Sequence, residues 1–153
     1  MRSGVRRAAM VAVTLVATVG AALGVGTAAQ AQTTYDSGNY AYVEQETANG
    51  LGEAQVYWTD QTGHYVLTSK SGAYAYANIL NDESGYSLDG WLERSTDGGA
   101  SWYRISGVHA LNDGSAYKNA PTDAYYDGPG YLARACFQFT SWSGAAVHCS
   151  PGI

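Results

Sequence analysis

Apolar and polar positions alternate with a period of two along most of residues 32–153, which is the pattern of β-strands. Residues 73–77 read Ala-Tyr-Ala-Tyr-Ala, and residues 131–139 alternate in the same way. Successive side chains of a strand point to opposite faces of a sheet, so this period indicates strands with two different faces. Related patterns predict strands at residues 40–47, 53–59, 64–69, 86–94, 101–106 and 145–149, or about eight in all.

Turn residues separate these segments at short intervals. Asn49-Gly50, Ser71-Gly72, Asp97-Gly98-Gly99 and Asp127-Gly128 are combinations that reach the positive φ angles of tight turns. No segment beyond residue 31 carries an apolar stripe of helical period. The sequence therefore predicts an all-β fold, a single antiparallel β-sandwich or small barrel. Residues 32–39 are polar and predicted to be loose, and residues 108–127 are predicted to form a polar loop.

The first 31 residues have the features of a secretory signal peptide. Three arginines lie within residues 1–7, an apolar run covers residues 8–25, and Ala29-Gln30-Ala31 supplies a small-x-small cleavage pattern. An N-terminal membrane anchor is the alternative, but the run is rich in Ala and Gly and ends in a cleavable motif. We therefore predict a signal peptide at 1–31, one secreted β domain at 32–153, and no membrane association after cleavage.

Cleavage makes the chain more acidic. It removes 31 of 153 residues and 3 of the 8 basic residues but none of the 13 acidic ones, so 122 residues remain and the formal net charge changes from -5 to -8. The remaining Lys and Arg are scattered along the sequence. Binding to nucleic acid requires clustered basic residues, so a nucleic-acid partner is not expected.

Both cysteines, Cys136 and Cys149, lie in the predicted exported part. Export favours a disulfide, which would close a short C-terminal loop and stabilise the fold by about 3 kcal/mol. A metal site is the alternative, and His148 adjoins Cys149. Adjacent strand residues point to opposite faces, however, so this pair is badly placed to share one ion. The prediction is a disulfide and no metal.

Residues 95–102 read Ser-Thr-Asp-Gly-Gly-Ala-Ser-Trp. This segment resembles the Asp-box, whose pattern is Ser/Thr-x-Asp-x-Gly-x-Ser/Thr-Trp. The resemblance implies a hairpin in which Ser95, Asp97 and Gly99 form the turn and Trp102 packs beneath it. Asp-boxes recur in sialidase propellers, but a single copy cannot build a propeller, so we interpret it as a structural turn.

The aromatic content is the main clue to function. All 13 Tyr, 4 Trp and 2 Phe lie beyond residue 31. A buried core has little use for so many hydroxyl groups, whereas tyrosine faces bind proteins and sugars. The alternative is that tyrosine replaces Leu and Ile on half-buried strands, which its β propensity favours. The candidate binding residues are Tyr40, Tyr42, Tyr74, Tyr76, Trp58, Trp91 and Trp142.

Catalytic patterns are weak by comparison. The three histidines, His64, His109 and His148, have no metal-ligand spacing, and no Gly-x-Ser-x-Gly nucleophile motif is present. Neighbouring acids such as Glu44 and Glu46 are typical of a solvated strand face, because glycosidase carboxylates usually come from separate segments. The sequence therefore predicts a protein that is not an enzyme and has no cofactor.

The whole chain is similar in style to small exported β proteins of actinobacterial, Streptomyces type. In size, export and β character it resembles the adaptor subunit of umbrella toxin particles, which joins lectin subunits to a large stalked component. This resemblance implies a non-catalytic role as an adaptor in a secreted antibacterial toxin complex. Tendamistat-like amylase inhibitors are a second comparison, but they carry two disulfides around Trp-Arg-Tyr, whereas this chain has one Cys pair and Trp102-Tyr103-Arg104.

Binding to another secreted protein is therefore the expected function. Partners can also add a strand through the N-terminal segment, residues 32–39 followed by 40–47. The alternatives are a carbohydrate-binding module that stacks glycans on the Trp and Tyr side chains, a secreted enzyme inhibitor, and a small hydrolase that uses a histidine.

Overall fold

A computed structural model describes residues 32–114, 116–141 and 143–153; the predicted signal peptide and Trp142 lie outside these ranges. The described residues form eleven β-strands and no helix, and therefore no helix that could cross a membrane. The strands are β1 (Gln32–Asp36), β2 (Tyr40–Thr47), β3 (Gly50–Thr59), β4 (Tyr74–Asn81), β5 (Leu88–Ser95), β6 (Tyr103–Arg104), β7 (His109–Leu111), β8 (Lys118–Pro121), β9 (Tyr125–Tyr126), β10 (Leu132–Phe139) and β11 (Val147–Cys149).

The strands form two antiparallel sheets that pack as a sandwich. The first sheet has the order β1-β2-β3-β4-β8, and β9 also pairs with β4 beyond β8. The second has the order β11-β10-β5-β6, and β7 also pairs with β5. The expected all-β sandwich is thus confirmed.

Three expectations about individual segments were wrong. Residues 64–69 form no strand and contribute a single bridge, from Val66 to Thr59. Residues 32–36 are not loose but form β1, which is held by backbone pairing with β2. All side chains of β1 are exposed, so its sequence shows no alternation of apolar and polar residues from which the strand could be predicted. Residues 108–127 are not one loop but contain β7, β8 and β9, which are two to four residues long and too short to show a period.

The core between the sheets is built from unusually small side chains. The first sheet contributes Ala41, Val43, Ala54 and Val56 from β2 and β3, all fully buried. The other fully or almost fully buried apolar residues of the cluster are Ala75, Ala77, Ile79, Leu88, Leu92, Ala133, Ala135, Phe137 and Phe139. Because alanine fills so many inward positions, the two phenylalanines of β10 provide much of the aromatic bulk of the interior.

Two glycines let the sheets approach each other closely. A Cβ atom at Gly90 would lie 2.5 Å from Ile79 Cγ2, and one at Gly52 would lie 2.7 Å from Phe139 Cζ. Both distances are well below van der Waals contact, so even a methyl group is too large at either position.

Replacing Gly90 with alanine is expected to lower the free energy of unfolding by about 1–3 kcal/mol, because the added methyl group forces the Ile79 side chain out of place. In an Ile79→Val background the same change should cost less. Urea unfolding of the four proteins of this cycle measures the coupling. Gly107→Ala is the control, since no atom lies within 4 Å of a Cβ there. Equal losses in both backgrounds would contradict the close approach.

The two cysteines form a disulfide between β10 and the edge strand β11. Cys136 and Cys149 are direct partners in the register of these strands, and Cys136 is fully buried. The expected disulfide is confirmed. Since β11 is only three residues long, the covalent bond compensates for the few backbone hydrogen bonds that hold it.

Candidate functional site

The outer face of the first sheet carries a row of tyrosine rings that crosses the four strands β1 to β4. Tyr35 stacks on Tyr42 with a centroid distance of 5.5 Å. Tyr57 stacks on Tyr40 at 4.6 Å and on Tyr76 at 5.3 Å. Tyr40 and Tyr42 bridge the two halves at 5.8 Å. These five side chains are called the tyrosine ladder below.

The rings of the ladder overlap through their faces. The stacked pairs have interplanar angles of 15° to 24°, and nearly parallel rings this close cannot lie side by side in one plane. Tyr57 is therefore stacked between Tyr40 and Tyr76, and both of its faces are covered. The surface that the inner rings offer to a partner is their edges and hydroxyl groups.

Polar side chains continue from the ladder along β3. The Tyr57 hydroxyl donates a hydrogen bond to Gln55 Oε1 at 2.5 Å, and Gln55 Nε2 donates to Glu53 Oε1 at 2.6 Å. Burial raises the pKa of Tyr57, and the neighbouring Tyr40 hydroxyl raises it further. Burial is also the main cause that raises the pKa values of Tyr40, Tyr42 and Tyr76. These four tyrosines are therefore uncharged at neutral pH.

The same face is acidic. Glu44 on β2 lies directly opposite Glu53 on β3, and no Lys or Arg occurs in β1 to β4. Burial raises the pKa of Glu53, and the charge of Glu44 adds to this. Like charges directly across a sheet destabilise it, so this pair weakens the free protein. A partner that carries basic side chains would remove the repulsion.

A polar cleft of about 350 Å³ borders the last ring of the ladder. It is lined by Gln61, Thr62, Gly63 and His64 from the loop after β3, by Tyr76, and by residues 121–124. The cleft opens where the strand beside β4 is interrupted between β8 and β9. The ladder therefore ends in a concave site.

The structure brings three of the predicted binding residues together. Tyr40, Tyr42 and Tyr76 belong to the ladder, whereas Tyr74 contacts Tyr126 edge to face at 5.7 Å. Tyr126 in turn contacts Tyr131 at 5.9 Å. Tyr74 is thus part of a second, separate aromatic cluster formed by residues of β4, β9 and the segment just before β10.

Two of the predicted tryptophans, Trp58 and Trp91, lie away from the ladder, and Trp142 is outside the described residues. The partly buried Trp58 packs against the core, and Lys70 Nζ lies 4.9 Å from its ring centroid. Trp91 is only 9% exposed, and its indole N–H donates to Glu93 Oε1 at 2.8 Å. Neither ring forms a continuous surface with the tyrosines.

The predicted turn residues hold the loop between β5 and β6. Ser95 Oγ donates to Asp97 Oδ1 at 2.7 Å, and Asp97 Oδ1 accepts from the Ser101 amide at 2.9 Å. The Gly99 amide donates to Ser95 Oγ at 2.8 Å, and Gly99 has a φ of 94°. Hydrogen bonds from the Ser101 and Ser95 hydroxyls lower the pKa of Asp97 to about 2. Trp102 lies under the guanidinium of Arg134, 4.3 Å from its Cζ to the ring centroid.

Comparison of the chain with known protein families, with characterised proteins and with solved structures finds no match. The site must therefore be interpreted from its own chemistry.

The histidines lie on three different elements. His64 is exposed in the loop after β3, His109 lies on β7, and His148 on β11 stacks on Phe137 at 5.1 Å. Burial lowers the pKa of His148, which therefore stays neutral at pH 7. Among the described residues, one group of three possible metal ligands is close together, Glu93 with Cys136 and Cys149, and the disulfide occupies both sulfur atoms.

Tyr35 and Tyr57 were not among the predicted binding residues. Tyr57 could have been predicted from the turn between β2 and β3. Thr47 pairs with Gly50 at this turn, and the same antiparallel register places Tyr57 opposite Tyr40. The register of β1 gives no such signal, since the sequence pattern does not predict that strand.

An ion pair between a partly exposed lysine and a buried aspartate lies at the end of the sandwich that holds the second aromatic cluster. Lys70 Nζ lies 3.2 Å from Asp127 Oδ2, and the Asp127 side chain is 1% exposed. Lys70 Nζ also donates to the Ile153 carbonyl oxygen at 2.8 Å. Burial raises the pKa of Asp127 to about 6, and this outweighs the opposing effects of Lys70, Arg94 and the Trp58 indole.

The free energy of unfolding is expected to decrease as the pH rises from about 4 to 6, because of Asp127. Its folded pKa of about 6 exceeds the ordinary value of 3.8, so in this window the native state binds a proton that the unfolded state has lost. The loss is complete above pH 6 and amounts to at most about 3 kcal/mol. Urea unfolding of the wild type and Asp127→Asn from pH 4 to pH 7 isolates this carboxyl from Glu53 and Glu83, whose pKa values are also raised. A stability difference that does not change with pH would contradict this assignment.

Proposed function

We propose that this chain is a non-catalytic, secreted interaction protein that binds another exported protein through the tyrosine ladder. The observation that carries the proposal is the row of five tyrosine rings, with three stacked pairs, on the outer face of one sheet. Tyrosine is enriched at protein interfaces because it offers a large amphipathic contact at a low cost in conformational entropy.

Stacking supports binding to a protein for two reasons. The rings already restrain one another, so less side-chain freedom is lost when a partner binds. Both faces of Tyr57 are covered, so the middle of the ladder offers edges and hydroxyls, which suit a protein surface, instead of open faces on which a glycan chain would stack.

Charge supports a partner with a basic contact surface. The acidic pair Glu44 and Glu53 lies on the ladder face, and β1 to β4 carry no positive side chain. Complementary charge accelerates association and makes it depend on salt. Binding should therefore weaken as the salt concentration rises.

The outer edge of β1, which pairs with no other described strand, supports a second mode of contact. This strand lies at the end of the first sheet, and all five of its residues are exposed. An edge strand offers unpaired backbone groups to a partner strand, and Tyr35 would place the added strand beside the ladder. A role as adaptor in a multi-subunit secreted toxin assembly, as the resemblance to umbrella-particle adaptors implies, would use both surfaces.

The test compares capture by the wild type and by a ladder variant. Protein from the medium of cells that express the full sequence is biotinylated at about one label per molecule, which favours the exposed Lys118 of β8 over the ion-paired Lys70, and is incubated with culture supernatant of the source organism. Bound proteins are identified by mass spectrometry, and the affinity of each purified candidate is then measured.

Tyr35→Ala combined with Tyr42→Ala should lower the affinity for the true partner by about 30-fold or more, which corresponds to a loss of about 2 kcal/mol in binding free energy. Tyr103→Ala is the control, because Tyr103 is 46% exposed and lies on the second sheet. If the ladder variant captures the same proteins with unchanged affinity, the ladder is not the interface.

A further inference from the structure

We propose that the cleft at the end of the tyrosine ladder binds one uncharged sugar ring, a neutral or N-acetylated hexose, on the free face of Tyr76. This is a second site, separate from the protein-binding role of the ladder, and it rests on the geometry of one ring and two loops.

Tyr76 is a terminal ring of the ladder. One of its faces stacks on Tyr57 of β3, at 5.3 Å and 15°. The cleft that Tyr76 lines lies on the other side, toward residues 121–124. The second face of this ring is therefore open to the cleft, unlike those of Tyr57. An open aromatic face beside polar groups is the arrangement on which a pyranose stacks through its C–H groups.

The first wall of the cleft is held rigidly by Asp60. Its Oδ1 accepts hydrogen bonds from the Thr62 amide at 3.0 Å, the Thr62 hydroxyl at 2.7 Å and the His64 amide at 3.3 Å. The Thr62 hydroxyl is the main cause that lowers the pKa of Asp60, which therefore stays ionised and keeps the loop closed. The loop presents Gln61 and His64 to the cleft without needing to be ordered by a ligand.

The second wall is fixed to β4 through Thr122. Its amide donates to the Ala77 carbonyl at 2.8 Å, and its hydroxyl oxygen accepts from the Ala77 amide at 3.0 Å. A side chain thus replaces a backbone group in the sheet, which ends the regular pairing and creates the gap between β8 and β9. Asp123, the next residue, is exposed and lines the cleft with its carboxylate available to accept hydrogen bonds.

The lining chemistry selects the ligand class. Residues with an amide, an imidazole, a hydroxyl and a carboxylate line the cleft together with one tyrosine, which matches the many donors and acceptors of a sugar ring. Among the described residues, no Lys or Arg lines the cleft and Asp123 does, so sialic acids, uronic acids and phosphates are disfavoured. The volume of about 350 Å³ is at the lower end for small-ligand sites, which suits a single ring at the end of a glycan.

The test uses isotope-labelled protein from the medium and a panel of methyl glycosides of glucose, galactose, mannose and N-acetylglucosamine. We expect at least one of them to shift the amide signals of residues 61–64 and 121–124 in a saturable way, with a Kd of about 1 mM, as befits a small ligand in a shallow site. Asp123→Asn, which keeps the shape of the side chain, and Tyr76→Ala should each weaken this binding at least tenfold. Tyr42→Ala, at the other end of the ladder, should leave it unchanged.

The two proposals fail independently. Tyr35→Ala tests protein binding and leaves the cleft intact, whereas Asp123→Asn tests sugar binding and leaves the ladder intact. Absence of saturable shifts at tens of millimolar of every glycoside would overturn the sugar site. Arginine amide is added as a further probe, because a carboxylate beside an aromatic ring also binds guanidinium groups. Saturable binding of arginine amide without binding of any glycoside would assign the cleft to a partner's arginine and would equally overturn the proposal.

Discussion

Replacing Lys70 with methionine is expected to lower the free energy of unfolding at pH 7 by about 1–2 kcal/mol, because the buried Asp127 carboxyl, with a folded pKa of about 6, must then either bind a proton or stay charged without its cation. The Asp127 side chain is 1% exposed, and its Oδ1 has no hydrogen-bond partner among the described residues. The loss would be a large fraction of the 5–15 kcal/mol that stabilises an ordinary domain.

The pH dependence of this loss distinguishes the charge from simple packing. At pH 5 the Asp127 carboxyl, with a folded pKa of about 6, is largely protonated, so the missing cation matters less. The destabilisation by Lys70→Met should therefore be smaller at pH 5 than at pH 7. Chemical unfolding at both values measures it, and an equal loss at the two would argue for packing alone.

A double variant provides the matched control. Lys70→Met combined with Asp127→Leu removes both charges and keeps apolar volume at the site. Replacing a buried ion pair in this way is often neutral or stabilising, so the double variant should recover most of the stability lost in the single one. Failure to recover would locate the effect in the hydrogen bond from Lys70 to the Ile153 carbonyl.

Removal of the disulfide, by Cys136→Ala with Cys149→Ala, is expected to cost about 3 kcal/mol, since the bond closes a loop with a sequence separation of 13. The short edge strand β11 should be the first element to separate from its sheet. Hydrogen exchange of the β11 amides, compared with those of β5, measures this local effect.

Reduction of the wild type provides an independent control for the disulfide. Wild-type protein treated with a thiol reductant should unfold at the same denaturant concentration as the double alanine variant, and the variant should not respond to the reductant. If reduction changes the variant as well, the stability difference does not come from this bond.

The sequence predicts the fold class because strand alternation is a local signal. Residues 73–77 and 131–139 alternate strongly since each strand has one face on the core and one on solvent. β1 escapes prediction because all of its side chains are exposed, and its strand form depends on backbone bonds to β2. Segment 64–69 alternates weakly but leaves the sheet after one bridge.

The sequence predicts the aromatic face of the candidate site but not which of its rings are in contact. The pairs Tyr40 with Tyr42 and Tyr74 with Tyr76 signal an aromatic face, but register alone decides which rings meet. Tyr76 lies opposite Tyr57, whereas Tyr74 lies opposite Tyr126 of β9. The cleft is invisible in the sequence because it results from an interruption between β8 and β9, which depends on hydrogen bonds between Thr122 and Ala77, far apart in the chain.

Because inward side chains of the first sheet are small and its aromatic side chains point outward, the ladder also contributes to the stability of the fold. Alanines occupy the inward positions beside the tyrosines of β2 and β4, so the aromatic residues of these strands lie on the outside. The rings shield one another from water, and part of the apolar burial that other sandwiches obtain from their interior is obtained here on the surface. If the ladder also binds a partner as proposed, stability and recognition depend on the same residues. A mutation that removes a ladder ring would then be selected against for both reasons, which would slow the divergence of this surface.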